Sequence, residues 1–221
     1  MNDSNVKSMC VKSMYGSGKT YVLRENLLMK HAKKFKRVLF LTYRRSLTRD
    51  IYHYLQELGF DSYLDILHLE RSNKLICQYE SVKRLFKYDC YFLDDITHDL
   101  VIIDEAKSFF IHTFAPTHQG QSESNFVNVY QICQNSNKLI FLDGDNDSQV
   151  YYNASLFGKT IIIENEFNEN YRIMKIHSDR IAYESLIDEQ LDQNKKIVIV
   201  CQSSNEVVNQ YNIRISMKPK P

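Results

Sequence analysis

Residues 13–20 read SMYGSGKT and residues 100–107 read LVIIDEAK. In the first string, Gly16 and Gly18 permit a tight turn whose N–H groups point inward as an anion nest. The helix expected to begin at Lys19 adds the positive end of its dipole. Ser13 and Ser17 complete the loop, with Ser13 standing where the full phosphate-loop pattern has glycine. Lys19 can reach β and γ phosphates as a point charge, and the Thr20 hydroxyl is placed for Mg²⁺. In the second string, four apolar residues deliver Asp104 and Glu105 to the carboxyl edge of a buried strand, where open α/β sheets bind ligands. Asp104 suits Mg²⁺, mostly through water, and Glu105 suits the polarisation of an attacking water as general base. A nucleotide kinase needs the aspartate but not the adjacent glutamate. The two corners are expected on adjoining parallel strands.

Three weaker boxes surround these. RVLFLTYRRSLTRDI (37–51) is a buried strand, a basic turn and a helix. Between positions 30 and 49 lie eight basic residues and no acidic one (Lys30, Lys33, Lys34, Lys36, Arg37, Arg44, Arg45, Arg49), a local field that could follow a phosphate backbone. Arg44 and Arg45, at the strand's carboxyl end, are the strongest candidates. ICQYESVKRL (76–85) sets Gln78 and Ser81 at a strand-to-helix junction, a place suited to phosphate contact. KLIFLDGDND (138–147) ends a strand with Asp143, either a γ-phosphate sensor or a turn with aspartate side-chain bonds. Asp94 and Asp95 read as a solvated loop.

These boxes need elements to position them. Apolar runs at 6–11, 37–42, 75–77, 100–103, 138–142 and 159–163 read as strands, the later ones buried. Helices are expected at 19–33, 46–58 (stopped by Gly59) and 81–86. Strands alternating with helices imply an α/β fold with a mostly parallel sheet covered on both faces. Beyond 168, a strand at 171–177, a helix at 180–191, a strand at 196–201 and a helix at 205–211 suggest a second unit, with the boundary in the polar stretch 164–172. Lys plus Arg number 28 and Asp plus Glu 27, which excludes a uniformly basic chromatin-type protein and an acidic disordered tail. Five scattered cysteines without C-x-x-C spacing speak against a disulfide framework or zinc site and fit a reducing intracellular compartment. There is neither a bilayer-length apolar run nor an apolar region after the N-terminus, so a non-secreted protein without a membrane role is expected.

In order, SMYGSGKT, LTYRRSLTRD, QYESV, IIDEAK and LDGDND resemble a superfamily 2 helicase core. The match is nearer still to the herpesvirus-type origin-of-replication-binding protein family. MYGSGKT (14–20), YRRSLT (43–48), Gln78-x-x-Ser81 and DEAKSFFIHTFAPTH (104–118) carry it across about residues 6–165, with a fainter extension to 196–208. The resemblance implies a P-loop NTPase whose residues 1–168 form a RecA-like ATP-binding lobe, with 169–221 the truncated start of a second. It implies ATP and Mg²⁺ as cofactors, and DNA, single-stranded or at a replication origin, as partner alongside other replication proteins, in a virus-infected cell. Lys19 and Thr20 would serve phosphate and metal, Asp104 and Glu105 metal and water. Arg45, with Arg44 beside it, Gln78 and Ser81 would face DNA, and Asp143 would couple ATP state to lobe movement. Lys107 replaces the His or Asp of better-known acidic boxes, so the usual link from that position does not carry over. The chain ends before the later helicase motifs and their arginines, so weak MgATP binding and poor hydrolysis are expected. A truncated, non-hydrolysing nucleotide- or DNA-binding module is the alternative. A P-loop kinase fits less well, since its lid arginines would have to be Arg172, Arg180 and Arg214, which are widely spaced.

Overall fold

The computed structural model describes residues 5–14, 16–86, 97–113, 122–145, 147–165 and 180–193. Contacts gather the chain into two units, 1–168 and 169–221. The first is built on seven strands: β1 (Ser8–Ser13), β2 (Val38–Thr42), β3 (Asp61–Ser62), β4 (Lys74–Gln78), β5 (Leu100–Asp104), β6 (Lys138–Asp143) and β7 (Thr160–Asn165). Every recorded pairing is parallel, in the spatial order β3-β4-β2-β5-β6-β1-β7. The helices are α1 (Lys19–Val22), α2 (Arg45–Leu55), α3 (Ala106–Thr113), α4 (Ser122–Asn135) and α5 (Ser148–Ser155). In the second unit the described part centres on α6 (Arg180–Asp192). No described helix is long and apolar enough to cross a membrane.

Continuous apolar runs make the central strands, because both faces are covered and the period-2 alternation divides each strand between two cores. Leu39 and Leu41 of β2, Val101 and Ile103 of β5, and Leu139 and Phe141 of β6 join Phe109, Phe110, Ile132 and Val150 of α3, α4 and α5. Val38 and Phe40, Leu100 and Ile102, and Ile140 and Leu142 join Leu23, Leu28, Ile51 and Leu55 on the opposite face.

Four expectations need correction. The phosphate-loop and acidic-box strands do not adjoin: β6 pairs with both β1 and β5 and separates them by about 10 Å. The helix after the phosphate loop is α-helical only over four residues and then runs as a π-helix, Leu23–Met29. That wider pitch sets Leu23 and Leu28, five apart, on one buried stripe. The helix expected at 81–86 is a 3₁₀ segment, Tyr79–Leu85. Finally, among the described residues β7 lies at the sheet margin, paired with β1, and leaves Ile161, Ile162 and Ile163 37%, 49% and 43% exposed. The strands expected at 171–177 and 196–201, the helix at 205–211, and Asp94 and Asp95 lie outside the described residues.

Candidate functional site

Parallel register delivers the chemistry to one edge. Thr42 pairs with Gln78, Asp104 with Leu142, Lys12 with Asp143, and Ser13 with Asn165, so all these positions reach the carboxyl end of the sheet. A cleft of about 350 Å³ opens there, lined by Gly16, Gly18, Lys19 and Thr20 from the loop and by Asp104, Glu105 and Asp143. Its two corners meet despite the intervening strand, because that strand itself ends in Asp143.

Gly16 and Gly18 sit at φ 76° and 82°, conformations that a side chain would strain. Gly18 caps α1, and its carbonyl accepts from Val22 N–H at 2.9 Å. The Lys19 ammonium folds back on the loop, donating to the carbonyls of Ser13 (2.5 Å) and Met14 (3.1 Å). Burial lowers its pKa, and the nearby charges of Asp104, Asp143 and Glu105 oppose that shift. Ser13 is buried at the end of β1. Its hydroxyl donates to Ser17 Oγ at 2.6 Å and accepts from Asn165 Nδ2 at 3.1 Å. The serine in the usual glycine position therefore ties the loop to the end of β7.

Asp104 is 6% exposed, and burial pushes its carboxyl up to about 6. The Glu105 N–H, donating to Oδ1 at 3.0 Å, holds it down, the Glu105 charge raises it, and Lys19 lowers it. Glu105 adopts φ 50°, the only positive φ of a non-glycine residue in the described chain. Left-handed backbone at a residue with a side chain is costly and persists where surrounding contacts over-determine it. Among the described residues no three acidic, histidine or cysteine side chains cluster tightly enough to hold a metal ion by themselves; Asp104 has one recorded N–H donor and remaining acceptor capacity, whereas Asp143 is more fully occupied. Asp143 Oδ2 accepts from Lys107 N–H at 2.7 Å and its Oδ1 from Asp145 N–H at 2.9 Å, binding the acidic box to the turn after β6.

Lys107 does make a link, by different chemistry. Its ammonium pairs with Asp145 Oδ2 at 2.6 Å and Asp147 Oδ2 at 3.3 Å. Asp147 is also the N-cap of α5, accepting from Gln149 and Val150 N–H. The opposite charges of Lys107 and the GDND string carried that signal in the sequence. Tyr43, which follows β2, and Asn165 carried no spacing signal at all.

The basic stretch does not form one field. Lys30, Lys33, Lys34, Lys36 and Arg37 precede β2, whereas Arg44, Arg45 and Arg49 follow it, a strand length of about 17 Å away. Arg44 and Arg45 are exposed at the carboxyl edge, and Arg44 lies over the Tyr43 ring at 4.7 Å. Gln78 is turned into the protein. Its Oε1 accepts from Tyr63 OH at 2.6 Å, and its Nε2 donates to Glu80 at 2.7 Å and the Tyr43 carbonyl at 3.4 Å. Ser81 is half-buried in the 3₁₀ segment that follows.

A parallel sheet in this order, with a glycine-turned loop and an acid pair at its carboxyl edge, is the RecA-like α/β fold of helicase lobes. The crystal structure of the Escherichia coli DEAH/RHA helicase HrpB superposes on 98% of this chain and 28% of its own, at TM-score 0.62 and 15% identity. The chain belongs to the origin of replication binding protein family, whose model matches residues 3–203. A protein of Acanthamoeba polyphaga mimivirus named as a replication origin-binding protein is 28% identical over 211 residues, covering 93% of this chain and 26% of the relative. A second mimivirus protein, named as helicase R8, is 28% identical over 218 residues, covering 91% of this chain and 20% of the relative. The chain thus spans about a quarter of the length of these curated relatives.

Proposed function

We propose that this chain is the ATP-binding lobe of a DNA helicase that couples MgATP hydrolysis to movement on DNA during replication, with 1–168 as the first RecA-like lobe and 169–221 the beginning of a second. The observation that carries this reading is the convergence of Lys19, Thr20, Asp104, Glu105 and Asp143 on one cleft. The loop N–H groups and Lys19 bind the phosphates, Lys19 leaving its own loop carbonyls to do so. Thr20 and Asp104 hold Mg²⁺, which when bound neutralises charge on the β and γ phosphates. Glu105 takes the proton of the attacking water. Asp143, fastened to Lys107 and Asp145, carries changes at the phosphates toward the rest of the lobe. Arg44 and Arg45 contact the DNA backbone. Gln78 supports that edge from within, and Ser81 lies beside it. Membership of the origin-binding family supports DNA at a replication origin as the partner, with other replication proteins assembled there.

ATP hydrolysis with and without single-stranded DNA tests this, on the chain and on Lys19→Ala and Glu105→Gln. Lys19→Ala should lose nucleotide affinity, and Glu105→Gln should bind ATP but not turn it over. Activity and affinity untouched by both substitutions would refute the site. ATP binding with no turnover in any of the three would favour a non-hydrolysing module.

A further inference from the structure

The amino edge of the sheet, opposite the cleft, is basic. Ser8 pairs with both Thr160 and Leu139, so the residues just before these, Lys7, Lys159 and Lys138, share one row across β1, β7 and β6. Backbone bonds seal that row: Lys7 N–H donates to the Lys159 carbonyl at 3.0 Å, and Leu139 N–H to the Lys7 carbonyl at 2.9 Å. Arg37 opens β2 at the same edge, and the turn leading to it carries Lys30, Lys33, Lys34 and Lys36, all exposed. Four strand spacings separate β7 from β2, so this edge is about 19 Å long. The segments that open these strands (5–7, 30–37, 97–99, 134–138 and 155–159) hold eight Lys and Arg residues and one acid, Asp99. That acid already accepts from Lys36 N–H, Arg37 N–H and Asn137 Nδ2. The whole chain has 28 basic and 27 acidic side chains, so charge is segregated, and Asp104, Glu105 and Asp143 gather at the opposite edge.

We infer that this amino edge binds the phosphate backbone of a second, double-stranded segment of DNA, apart from the strand met by Arg44 and Arg45. This rests on DNA as the partner proposed above, and not on the nucleotide site. Like charges side by side across strands destabilise a sheet, and a row of phosphates relieves that repulsion. The ammonium groups of Lys7 and Lys138 donate to the carbonyls of Gln134 (2.6 Å) and Val6. A carbonyl fixes an ammonium at the edge without cancelling its charge. One strand of a duplex presents a phosphate about every 3.4 Å of its axis, so an edge about 19 Å long faces five or six of them. Single-strand sites add exposed rings on which bases stack. Here the rings of the same segments, Phe35 and Phe157, are 3% and 8% exposed, which leaves charge alone to act. Lysine, a point charge rather than a planar fork, meets phosphates of any sequence, so the contact is with the backbone and not with bases.

The test is fluorescence anisotropy with a labelled duplex of about 20 base pairs, across a salt series, on the parent and on the combined variant Lys34→Gln, Lys36→Gln and Lys159→Gln. All three side chains are exposed. At about 0.1 M salt the variant should bind the duplex at least tenfold more weakly, and its slope of log affinity against log salt should fall by about two to three. Arginine at the same three positions keeps the charge and should keep duplex affinity within about twofold, which a loss of folding in the glutamine variant would not mimic. Duplex affinity and salt slope unchanged in the glutamine variant overturn the inference. So does a parent that does not bind the duplex, or one that binds poly-glutamate more tightly, which would assign the edge to an acidic protein. Labelled oligo(dT) tests the earlier DNA reading separately: its affinity should fall in Arg44→Gln with Arg45→Gln and stay within about threefold of the parent in the lysine variant. Oligo(dT) binding untouched in the arginine variant, with duplex binding lost in the lysine variant, refutes the carboxyl-edge contact and leaves the amino edge standing.

Discussion

The two edges of this sheet carry aspartates in opposite circumstances. At the amino edge, just before β5, Asp99 accepts from the backbone N–H groups of Lys36 and Arg37 through Oδ2 at 2.8 and 2.9 Å, and from Asn137 Nδ2 through Oδ1 at 3.3 Å. It fastens the entries to β2, β5 and β6 together. Five residues on, at the carboxyl edge, Asp104 is buried with one recorded N–H donor and faces two further carboxylates. The same residue type serves architecture where its acceptors are filled and is available to a ligand where they are not. The edges differ in titration as well. Burial pushes Asp104 up to about 6 and the neighbouring amino-edge imidazole, His98, down to about 4. His98 is 3% exposed, and its Nδ1 is buried without a hydrogen-bond partner.

The largest expected effect breaks the architectural edge. Asp99→Ala strands three donors and should lower stability by roughly 2–4 kcal/mol in urea unfolding. The same measurement on metal-free Asp104→Asn at pH 7.5 should show a gain of about 1–3 kcal/mol, because an ill-solvated charge is removed. A loss of stability in Asp104→Asn would erase the contrast.

The contrast sharpens with pH. The raised pKa of Asp104 contributes stability that is complete below its ordinary 3.8 and is lost as pH rises through about 6. The lowered pKa of His98 contributes stability that is present above its ordinary 6.5 and is lost as pH falls through about 4. The two slopes oppose each other between about pH 4 and 6, each worth on the order of 3 kcal/mol in total. Asp104→Asn should therefore make the chain markedly more acid-sensitive than the parent, and His98→Gln should make it lose stability as pH rises across the same window. Parallel curves for parent and variants would contradict the opposing assignment.

Smaller effects belong to the ties around the cleft. Lys107→Met should reduce turnover severalfold with ATP affinity unchanged, since it frees the turn after β6 without touching the loop. Ser13→Gly restores the usual loop residue but severs the tie to Asn165, and about 1 kcal/mol of stability should go with it.

Much of this was legible in the sequence. The runs VLFLT, LVIID and KLIFLD read as strands covered on both faces, and DEAK at the end of the second and GSGKT just after β1 fell at carboxyl ends that parallel pairing brings to one edge. What escaped depended on partners far along the chain. The insertion of β6 between β1 and β5 is a property of strand order, which no local pattern encodes. β3, two residues long, is too short to show alternation, and α4 mixes Phe126, Val129 and Cys133 with Ser, Asn and Gln too evenly to read as amphipathic. The π pitch after Val22 leaves apolar spacing that also fits an α-helix. The hydrogen bond from Gln78 Nε2 to the Tyr43 carbonyl exists only because β2 and β4 lie side by side.

The central claim is that the loop and the acidic box serve one magnesium-bound triphosphate. It is tested most directly by equilibrium titration of a fluorescent ATP analogue, in Mg²⁺ and in EDTA, against the parent chain, Lys19→Ala and Asp104→Asn. The account predicts tighter binding with Mg²⁺ in the parent, at least tenfold weaker binding in both media for Lys19→Ala, and loss of the Mg²⁺ gain alone for Asp104→Asn. A Mg²⁺ gain that survives in Asp104→Asn, together with parental affinity in Lys19→Ala, would contradict it.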